Sequence, residues 1–265
     1  MSFHAVDVGL SARGGRDAQS VKQRRPDDTD LNVSSSKEEL SMLISDWMTR
    51  EVISVEPDVS MMKVSKIMKE KRIRRLPVVD ADKKLLGIVT DRDIKEASPS
   101  KATTLDIHEL YYLLSEIKVK DIMTKKPFTV LPEDTIERAA LVMMEKRVGG
   151  LPVVDAQGKI AGIITESDIF KVLIAITGAH FGGVLLAFKL PNTEGSLKEV
   201  LEALRHEQAR IISILTSYGQ QEEEGYRQVY VRIQDLEKNV LDALLEKLKQ
   251  FELLYWAREN LHPVK

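Results

Sequence analysis

The sequence contains no cysteine, which excludes thiolate catalysis, disulfides and cysteine-ligated zinc. Its histidines are far apart, with no pair spaced four residues apart on a helix: His4, His108, His180, His206 and His262. Hydrolase, kinase and dehydrogenase signatures are absent too, since no Gly-x-Ser-x-Gly, P-loop or Gly-x-Gly-x-x-Gly motif occurs. We therefore expect no catalytic residue, no metal and no required cofactor.

An excess of charge of one sign is also missing. The chain has 39 Lys and Arg against 41 Asp and Glu, so nucleic acid is not expected as a partner. The uncharged stretch 172–188 has only 17 residues and contains three glycines, whereas a membrane-spanning helix needs about 20. It predicts a helix end, a glycine turn and a buried strand. With no apolar signal-peptide core at the N-terminus, a cytoplasmic protein with no membrane partner is expected.

A tandem repeat dominates the remaining sequence. Residues 46–94 reappear at 121–169, shifted by 75 positions without an insertion or deletion, and 21 of the 49 aligned residues are identical. Such a repeat indicates two copies of one supersecondary unit that pack on each other. Any ligand cleft should therefore occur as a pseudo-symmetric pair.

Each copy is predicted to fold as β-α-β-β-α. A β-rich stretch (52–55 or 128–130) precedes a helix whose apolar residues recur at helical spacing, and then the strand Leu-Pro-Val-Val. Asp80 or Asp155 opens a turn into a second strand and a second helix. The predicted order along the chain is a disordered tail (1–41), repeat 1 (42–102), an amphipathic connecting helix (103–118) and repeat 2 (119–178).

The sequence pattern changes after the repeats. Residues 182–262 alternate strands and helices as β-α-β-β-α-β, a ferredoxin-like pattern. The predicted fold class is thus α/β for the repeats and α+β for this last domain. Because an antiparallel sheet with helices on one face leaves its other face or an edge uncovered, homodimerisation through this domain is expected.

Three elements occur twice in the same order within 42–176: a Met-Thr start, Leu-Pro-Val-Val-Asp, and Gly followed by two apolar residues and Thr-x-x-Asp. By these elements both repeats resemble CBS domains, paired as in a Bateman module. Residues 182–261 resemble an ACT domain, although Asn192 replaces the Asp that usually opens its first loop. The combination is similar to bacterial acetoin-utilisation accessory proteins. The resemblance implies a non-enzymatic sensor of an adenine nucleotide (AMP, ADP or ATP) or S-adenosylmethionine, acting on an unknown downstream protein.

The Thr-x-x-Asp elements, Thr90–Asp93 and Thr165–Asp168, each follow a strand and open a helix. A ligand at a helix N-terminus meets free backbone N–H groups and the positive end of the helix dipole. The resemblance implies that each Asp accepts the ribose hydroxyls. The same pattern is also a capping box that needs only the helix, and both roles can belong to one residue.

The resemblance also implies the other walls of the clefts. Ile53 and Phe128 correspond to residues that contact adenine, and the segments 73–75 and 148–150 precede each Leu-Pro-Val-Val. The complete predicted set is Thr49, Ile53, Ile73, Arg74, Arg75, Thr90, Asp93, Thr124, Phe128, Val148, Gly149, Gly150, Thr165 and Asp168.

The two copies differ where Arg74 and Arg75 of repeat 1 become Gly149 and Gly150 of repeat 2. Two guanidinium groups can bind phosphates bidentately, whereas glycines leave space and no charge. We therefore predict two unequal sites, with the phosphates near the arginines. The alternative is a solvated basic edge.

In the last domain Asn192, Gly195 and Ser196 are candidates to bind a small amino acid, or to form an ordinary helix start. Two rival functions stay open at this point. One is a dimeric interaction scaffold with vestigial clefts, and the other is an enzyme with an unrecognised site.

Overall fold

The computed structural model describes residues 41–98, 115–217 and 225–259. The predicted tail up to residue 40, the connecting helix up to residue 114 and the loop 218–224 lie outside the described residues.

Both repeats contain the predicted succession of helix, strand, strand and helix. The elements of the first are α1 (Ile44–Trp47), α2 (Met61–Lys71), β1 (Arg75–Val79), β2 (Leu85–Thr90) and α3 (Asp91–Ala97). Those of the second are α4 (Val119–Ile122), β3 (Thr124–Lys125), α5 (Ile136–Lys146), β4 (Gly150–Val154), β5 (Ile160–Thr165) and α6 (Glu166–Thr177).

Each repeat is built on an antiparallel hairpin, β1 with β2 and β4 with β5. The predicted turns are confirmed, because Asp80 Oδ1 accepts the N–H groups of Asp82 and Lys84 at 3.0 and 2.9 Å, and Asp155 forms the same turn. The hairpins bury Leu76 and Leu151 against the apolar faces of α2 and α5. Full burial of such a side chain contributes about 1.5–3 kcal/mol.

The β-rich stretches at 52–55 and 128–130 are the exception, since the prediction of strands there was wrong. Each makes a single parallel bridge, Val55 to Val78 and Val130 to Val153. Val55 N–H donates to Pro77 O and Val55 O accepts from Val79 N–H. The next rung on one side needs an N–H at residue 57, and on the other side one at residue 77. Both are prolines, and so are residues 132 and 152 of the second copy, so neither ladder can extend.

The first segment of each repeat packs on the other repeat. Leu43 and Thr49 form bridges to Thr135 and Ile163 of repeat 2, and Ile44 and Met48 lie in the core of that repeat. In the same way β3 pairs with β2 of repeat 1, and Val119 lies in the core of repeat 1. The Met-Thr element of one repeat therefore lies beside the Thr-x-x-Asp element of the other.

The C-terminal domain consists of β6 (Gly183–Pro191), α7 (Ser196–His206), β7 (Ile211–Ser217), β8 (Tyr226–Ile233), α8 (Lys238–Leu248) and β9 (Leu253–Glu259). Its antiparallel sheet has the order β7-β8-β6-β9, which confirms the predicted ferredoxin-like topology. One face of the sheet and the two helices bury a core that includes Phe188, Leu204 and Leu244.

The uncharged stretch 172–188 forms the predicted helix end, glycine turn and buried strand. Helix α6 ends at Thr177, Gly178 adopts a left-handed conformation (φ 64°), and β6 follows at Gly183. Within the described ranges, no helix has the length and apolar character needed to cross a membrane.

A buried arginine joins the end of α6 to the C-terminal sheet. Arg232 of β8 is 5% exposed. Its Nε donates to Thr177 O at 2.9 Å, its Nη1 to Gly182 O at 3.2 Å, and its Nη2 pairs with Glu259 at 2.8 Å. Ser213 Oγ also donates to Thr177 O at 2.7 Å. The last turn of α6 is thereby fixed to two strands of the sheet.

We predict that Arg232→Met lowers the free energy of unfolding by about 2 kcal/mol, because the change leaves the partly buried Glu259 carboxylate and Gly182 O without this donor, and Thr177 O with Ser213 as its remaining side-chain donor. Urea unfolding monitored by circular dichroism measures this loss. Arg210→Met, at an exposed position that precedes β7, is the control and should change the stability by less than about 0.5 kcal/mol. Equal effects of the two substitutions would contradict the structural role of Arg232.

Candidate ligand clefts

Two clefts lie between the repeats, and each combines elements of both. Cleft 1 has a volume of about 510 Å³ and is lined by Thr49, Glu51, Val52, Ile53, Arg72, Ile73, Arg74, Arg75, Pro77, Gly149, Ile163, Thr165, Glu166, Ser167, Asp168 and Lys171. Cleft 2 has a volume of about 420 Å³ and is lined by Arg75, Ile88, Thr90, Asp91, Arg92, Asp93, Thr124, Lys126, Pro127, Phe128, Arg147, Val148, Gly149, Gly150, Leu151 and Pro152.

All fourteen residues predicted for the two repeats line one cleft or both. The structure pairs them in a way that the repeat pattern does not indicate. Cleft 1 joins Thr49, Ile53 and 73–75 of repeat 1 to Thr165 and Asp168 of repeat 2, and cleft 2 makes the reciprocal combination. The exchanged first segments cause this arrangement, since they bring each Met-Thr element to the partner repeat.

Both Thr-x-x-Asp elements form capping boxes. In cleft 2, Asp93 Oδ2 accepts the Thr90 N–H and hydroxyl, both at 2.7 Å. In cleft 1, Asp168 Oδ2 accepts the same groups of Thr165 at 3.0 and 2.7 Å. In each case Oδ2 alone accepts the hydrogen bonds of the cap. The same carboxylate can therefore cap the helix through Oδ2 and bind a ligand through Oδ1.

The second carboxylate oxygen differs between the clefts. Asp168 Oδ1 accepts from Lys171 Nζ at 2.8 Å, and Asp168 is only 5% exposed. At the corresponding position repeat 1 has Glu96, which cannot make this ion pair. Asp93 Oδ1 accepts no hydrogen bond from any residue that the structure describes. The cleft 2 carboxylate is therefore the more available acceptor.

Arg75 occupies the space that the glycines of repeat 2 leave. A Cβ at Gly150 would overlap with Arg75 Nη1, and one at Gly149 would lie 2.9 Å from Nη2. Burial lowers the pKa of the Arg75 guanidinium, while the carboxylates of Glu166 and Asp91 raise it. Arginine stays charged in either case. The large residue of one copy and the small residues of the other are thus complementary in space.

This placement corrects the expectation that the glycine segment brings no charge to its cleft. Cleft 2 has four cationic side chains, Arg75, Arg92, Lys126 and Arg147, against two carboxylates. Cleft 1 also has four cationic side chains but three carboxylates. The clefts are unequal, and positive charge lines both.

Arg72 and Arg147 are cleft residues that sequence reasoning missed. They end α2 and α5 at equivalent positions, and both have a left-handed backbone with φ 54°, which is uncommon for a residue other than glycine. Their identity in the two copies was a signal in the repeat. Phe128 is 51% exposed, with Lys146 Nζ 5.4 Å from its ring centroid.

In the C-terminal domain the loop at 192–196 forms a regular helix start. Gly195 has φ 86° and precedes α7, and Ser196 Oγ donates to Pro191 O at 2.7 Å. Asn192 and Gly195 are exposed. Ligand binding by Asn192, Gly195 and Ser196 stays a prediction. Across 41–98, 115–217 and 225–259, no three His, Asp or Glu side chains lie close enough together to hold a metal ion.

Comparison with known proteins identifies the repeats. The family model of the CBS domain matches residues 44–100 and 119–175. A CBS domain-containing protein of Dictyostelium discoideum is 33% identical over 137 residues, a match that covers 52% of this chain and 94% of that protein. The chain belongs to the CBS domain-containing proteins.

The tandem CBS domains are also similar to solved structures. CBSX2 of Arabidopsis thaliana in complex with AMP is 32% identical, with 52% of this chain and 99% of that chain covered and a TM-score of 0.43. A Vibrio cholerae protein assigned to acetoin utilization is 30% identical, with 53% of this chain and 96% of that chain covered and a TM-score of 0.44. The chain also matches homoserine O-acetyltransferase of Methanohalobium evestigatum, with 32% identity over 130 residues and 49% of this chain covered. It spans only 24% of that enzyme's length.

We predict that Gly150→Ala destabilises the protein by about 1 kcal/mol through its overlap with Arg75. The cost should largely disappear in an Arg75→Ala background, giving a coupling energy of roughly 0.5–1 kcal/mol in a double-mutant cycle. Chemical unfolding of the four proteins measures it. Gly162→Ala is the matched control, because a Cβ there would overlap with Met48 instead. Its effect should add to that of Arg75→Ala, and additivity at Gly150 would contradict the packing argument.

Proposed function

We propose that this CBS domain-containing protein is a non-enzymatic sensor that binds an adenosine-containing ligand in the two clefts. The single observation that carries the proposal is the common composition of the clefts. Each combines an exposed apolar side chain, a Thr-x-x-Asp helix start and cationic side chains in one cavity. Their volumes lie in the range of about 300–1,000 Å³ that is usual for small-molecule sites.

Each part of a nucleotide has a suitable surface. Ile53 in cleft 1 and Phe128 in cleft 2 are 38% and 51% exposed, and an adenine would bury this apolar area. The carboxylates of Asp168 and Asp93 can accept ribose hydroxyls. The cationic side chains suit phosphates, since arginine binds them bidentately. S-adenosylmethionine would use the first two surfaces and leave the third solvated.

Helix α6 offers a route from cleft 1 to the C-terminal domain. Its first turn carries Asp168 and its last residue, Thr177, accepts hydrogen bonds from Arg232 and Ser213. At about 1.5 Å per residue its 12 residues span about 18 Å. A ligand that prefers one orientation of α6 would shift the position of the sheet by its differential affinity alone. The downstream partner is a protein that senses this change.

The proposal predicts that an adenosyl ligand raises the melting temperature. A ligand present at about 100 times its dissociation constant adds ~2.7 kcal/mol to the stability, which should shift the midpoint by several degrees. AMP, ADP, ATP and S-adenosylmethionine form the panel for a thermal-shift assay. Asp93→Ala and Asp168→Ala should each weaken binding in one cleft by roughly 1.5–3 kcal/mol, the range for hydrogen bonds to a charged group.

Thr135→Ala separates ligand binding from helix capping. Thr135 accepts the Arg138 N–H at the start of α5 and lies outside both sets of cleft residues. Its loss should lower the stability by about 1 kcal/mol and leave the affinity for ligand unchanged. A protein whose midpoint moves with none of the four ligands, or Asp variants that lose stability without affinity, would refute the sensor.

A homodimer is the second candidate, either as part of the sensor or as the scaffold that replaces it. Strand β9 lies at an edge of the sheet, and Leu254, Tyr255 and Trp256 on it are 44%, 49% and 45% exposed. Three large consecutive side chains on an edge that pairs with no further described strand favour association with another strand. A second copy of β9 would cover them symmetrically.

We predict that the protein sediments as a dimer and that Tyr255→Lys with Trp256→Lys converts it to a monomer, because two lysines at a symmetric edge would place like charges opposite each other. Sedimentation equilibrium measures the mass. Met62→Lys, a similarly exposed position on α2 (41% exposed), should leave the dimer intact. A monomeric wild-type protein would exclude this interface.

A further inference from the structure

One side chain lines both clefts. Arg75 and Gly149 belong to the walls of cleft 1 and of cleft 2. Gly149 has no side chain, so the guanidinium of Arg75 is the functional group that the two clefts have in common. A Cβ at residue 149 would lie 2.9 Å from this guanidinium, and one at residue 150 would overlap with it. The guanidinium therefore lies against β4 and the residue before it.

The surroundings of Arg75 are pseudo-symmetric. Glu166 of cleft 1 and Asp91 of cleft 2 occupy equivalent positions in the two repeats, and both carboxylates act electrostatically on Arg75. Each is the first residue of the helix that carries a Thr-x-x-Asp cap. The guanidinium therefore has one carboxylate and one candidate ribose site on each side.

Arg75 also has unused hydrogen-bond donors in the part of the chain that the structure describes. Its guanidinium makes no hydrogen bond or ion pair with any residue among those described. The five N–H donors of an arginine are therefore available to a ligand. Partial burial strengthens any charge-assisted hydrogen bond that they make with a phosphate.

We propose that Arg75 is shared between the clefts, so that a phosphate bound in one cleft weakens the binding of a second phosphate-bearing ligand in the other. This inference rests on the proposed function. The first phosphate takes up the guanidinium donors and neutralises their charge. The second ligand then meets an Arg75 whose N–H donors and positive charge are already engaged.

The remaining cationic side chains do not remove this effect, because they belong to one cleft each. Arg72, Arg74 and Lys171 line cleft 1, while Arg92, Lys126 and Arg147 line cleft 2. They can give each cleft its own affinity for phosphate. The coupling between the clefts depends on the Arg75 guanidinium, which lines both of them. A ligand without phosphate does not bind this guanidinium and should show no coupling.

The test is calorimetric titration of the full chain with AMP and with adenosine. Asp93→Ala and Asp168→Ala each leave one cleft functional and give its intrinsic dissociation constant. An independent-site curve calculated from these two constants is compared with the wild-type titration. For AMP we expect the second step to be about tenfold weaker than calculated, within the usual range of coupling between sites. For adenosine we expect the curve and the calculation to agree.

Arg75→Gln should abolish the difference between the AMP titration and the independent-site curve. Arg74 lines cleft 1 only, so Arg74→Gln should weaken the binding of AMP in that cleft and leave the difference in place. A wild-type AMP curve that fits independent sites overturns the inference while the sensor stands. A discrepancy that persists or widens in Arg75→Gln assigns the coupling to repulsion between phosphates and also overturns it. Should Arg75→Gln fail to fold, Arg75→Ala, which also removes the guanidinium from Gly149 and Gly150, takes its place and should abolish the discrepancy in the same way. No binding of either ligand refutes the sensor and the inference together.

Discussion

The exchange of first segments between the repeats is the constraint on which the rest of the structure depends. Thr49 pairs with Ile163 of the other repeat, and Thr124 with Ile88. Without the exchange, each Met-Thr element would lie beside its own Thr-x-x-Asp element and a repeat could form a cleft by itself. With it, neither cleft exists unless both repeats are folded and packed together. The tandem arrangement is therefore a physical requirement of the site.

The same packing explains why the copies have diverged where they have. Residues 75 and 150 approach each other where the repeats meet, and a Cβ on Gly150 would overlap with the Arg75 guanidinium. Two arginines at this place would compete for one volume and repel each other, while two glycines would leave a void. One large residue opposite one small residue fills the space without an overlap or a void. The chemical asymmetry of the clefts follows from a steric condition at the pseudo-symmetry axis.

The sequence predicted the elements of the repeats well because their signals are local. The caps at Thr90 and Thr165, the turns at Asp80 and Asp155 and the alternation of helix and strand depend on neighbouring residues. The exchange was not predictable from the repeat, since identical Met-Thr elements match either repeat equally. For the same reason Arg75 was assigned to one site. The strand predicted at 52–55 does not form because its partner is the segment that contains Pro77. Local propensity does not report such a long-range pairing.

The asymmetry extends beyond the clefts to the way each could influence the rest of the chain. Helix α6, which caps cleft 1, continues for 12 residues to the carbonyl that Arg232 and Ser213 hold, whereas α3, which caps cleft 2, has 7 residues. A displacement of the cleft 1 helix would therefore reach the sheet through one element, whereas among the described residues no single helix leads from cleft 2 to the sheet. Under the proposed sharing of Arg75, occupancy of cleft 2 would act on cleft 1 without movement of the backbone, because it would alter the charge that cleft 1 offers its ligand. On this proposal two similar clefts differ in role: cleft 1 is coupled to the C-terminal domain, and cleft 2 sets the affinity of cleft 1 for its ligand.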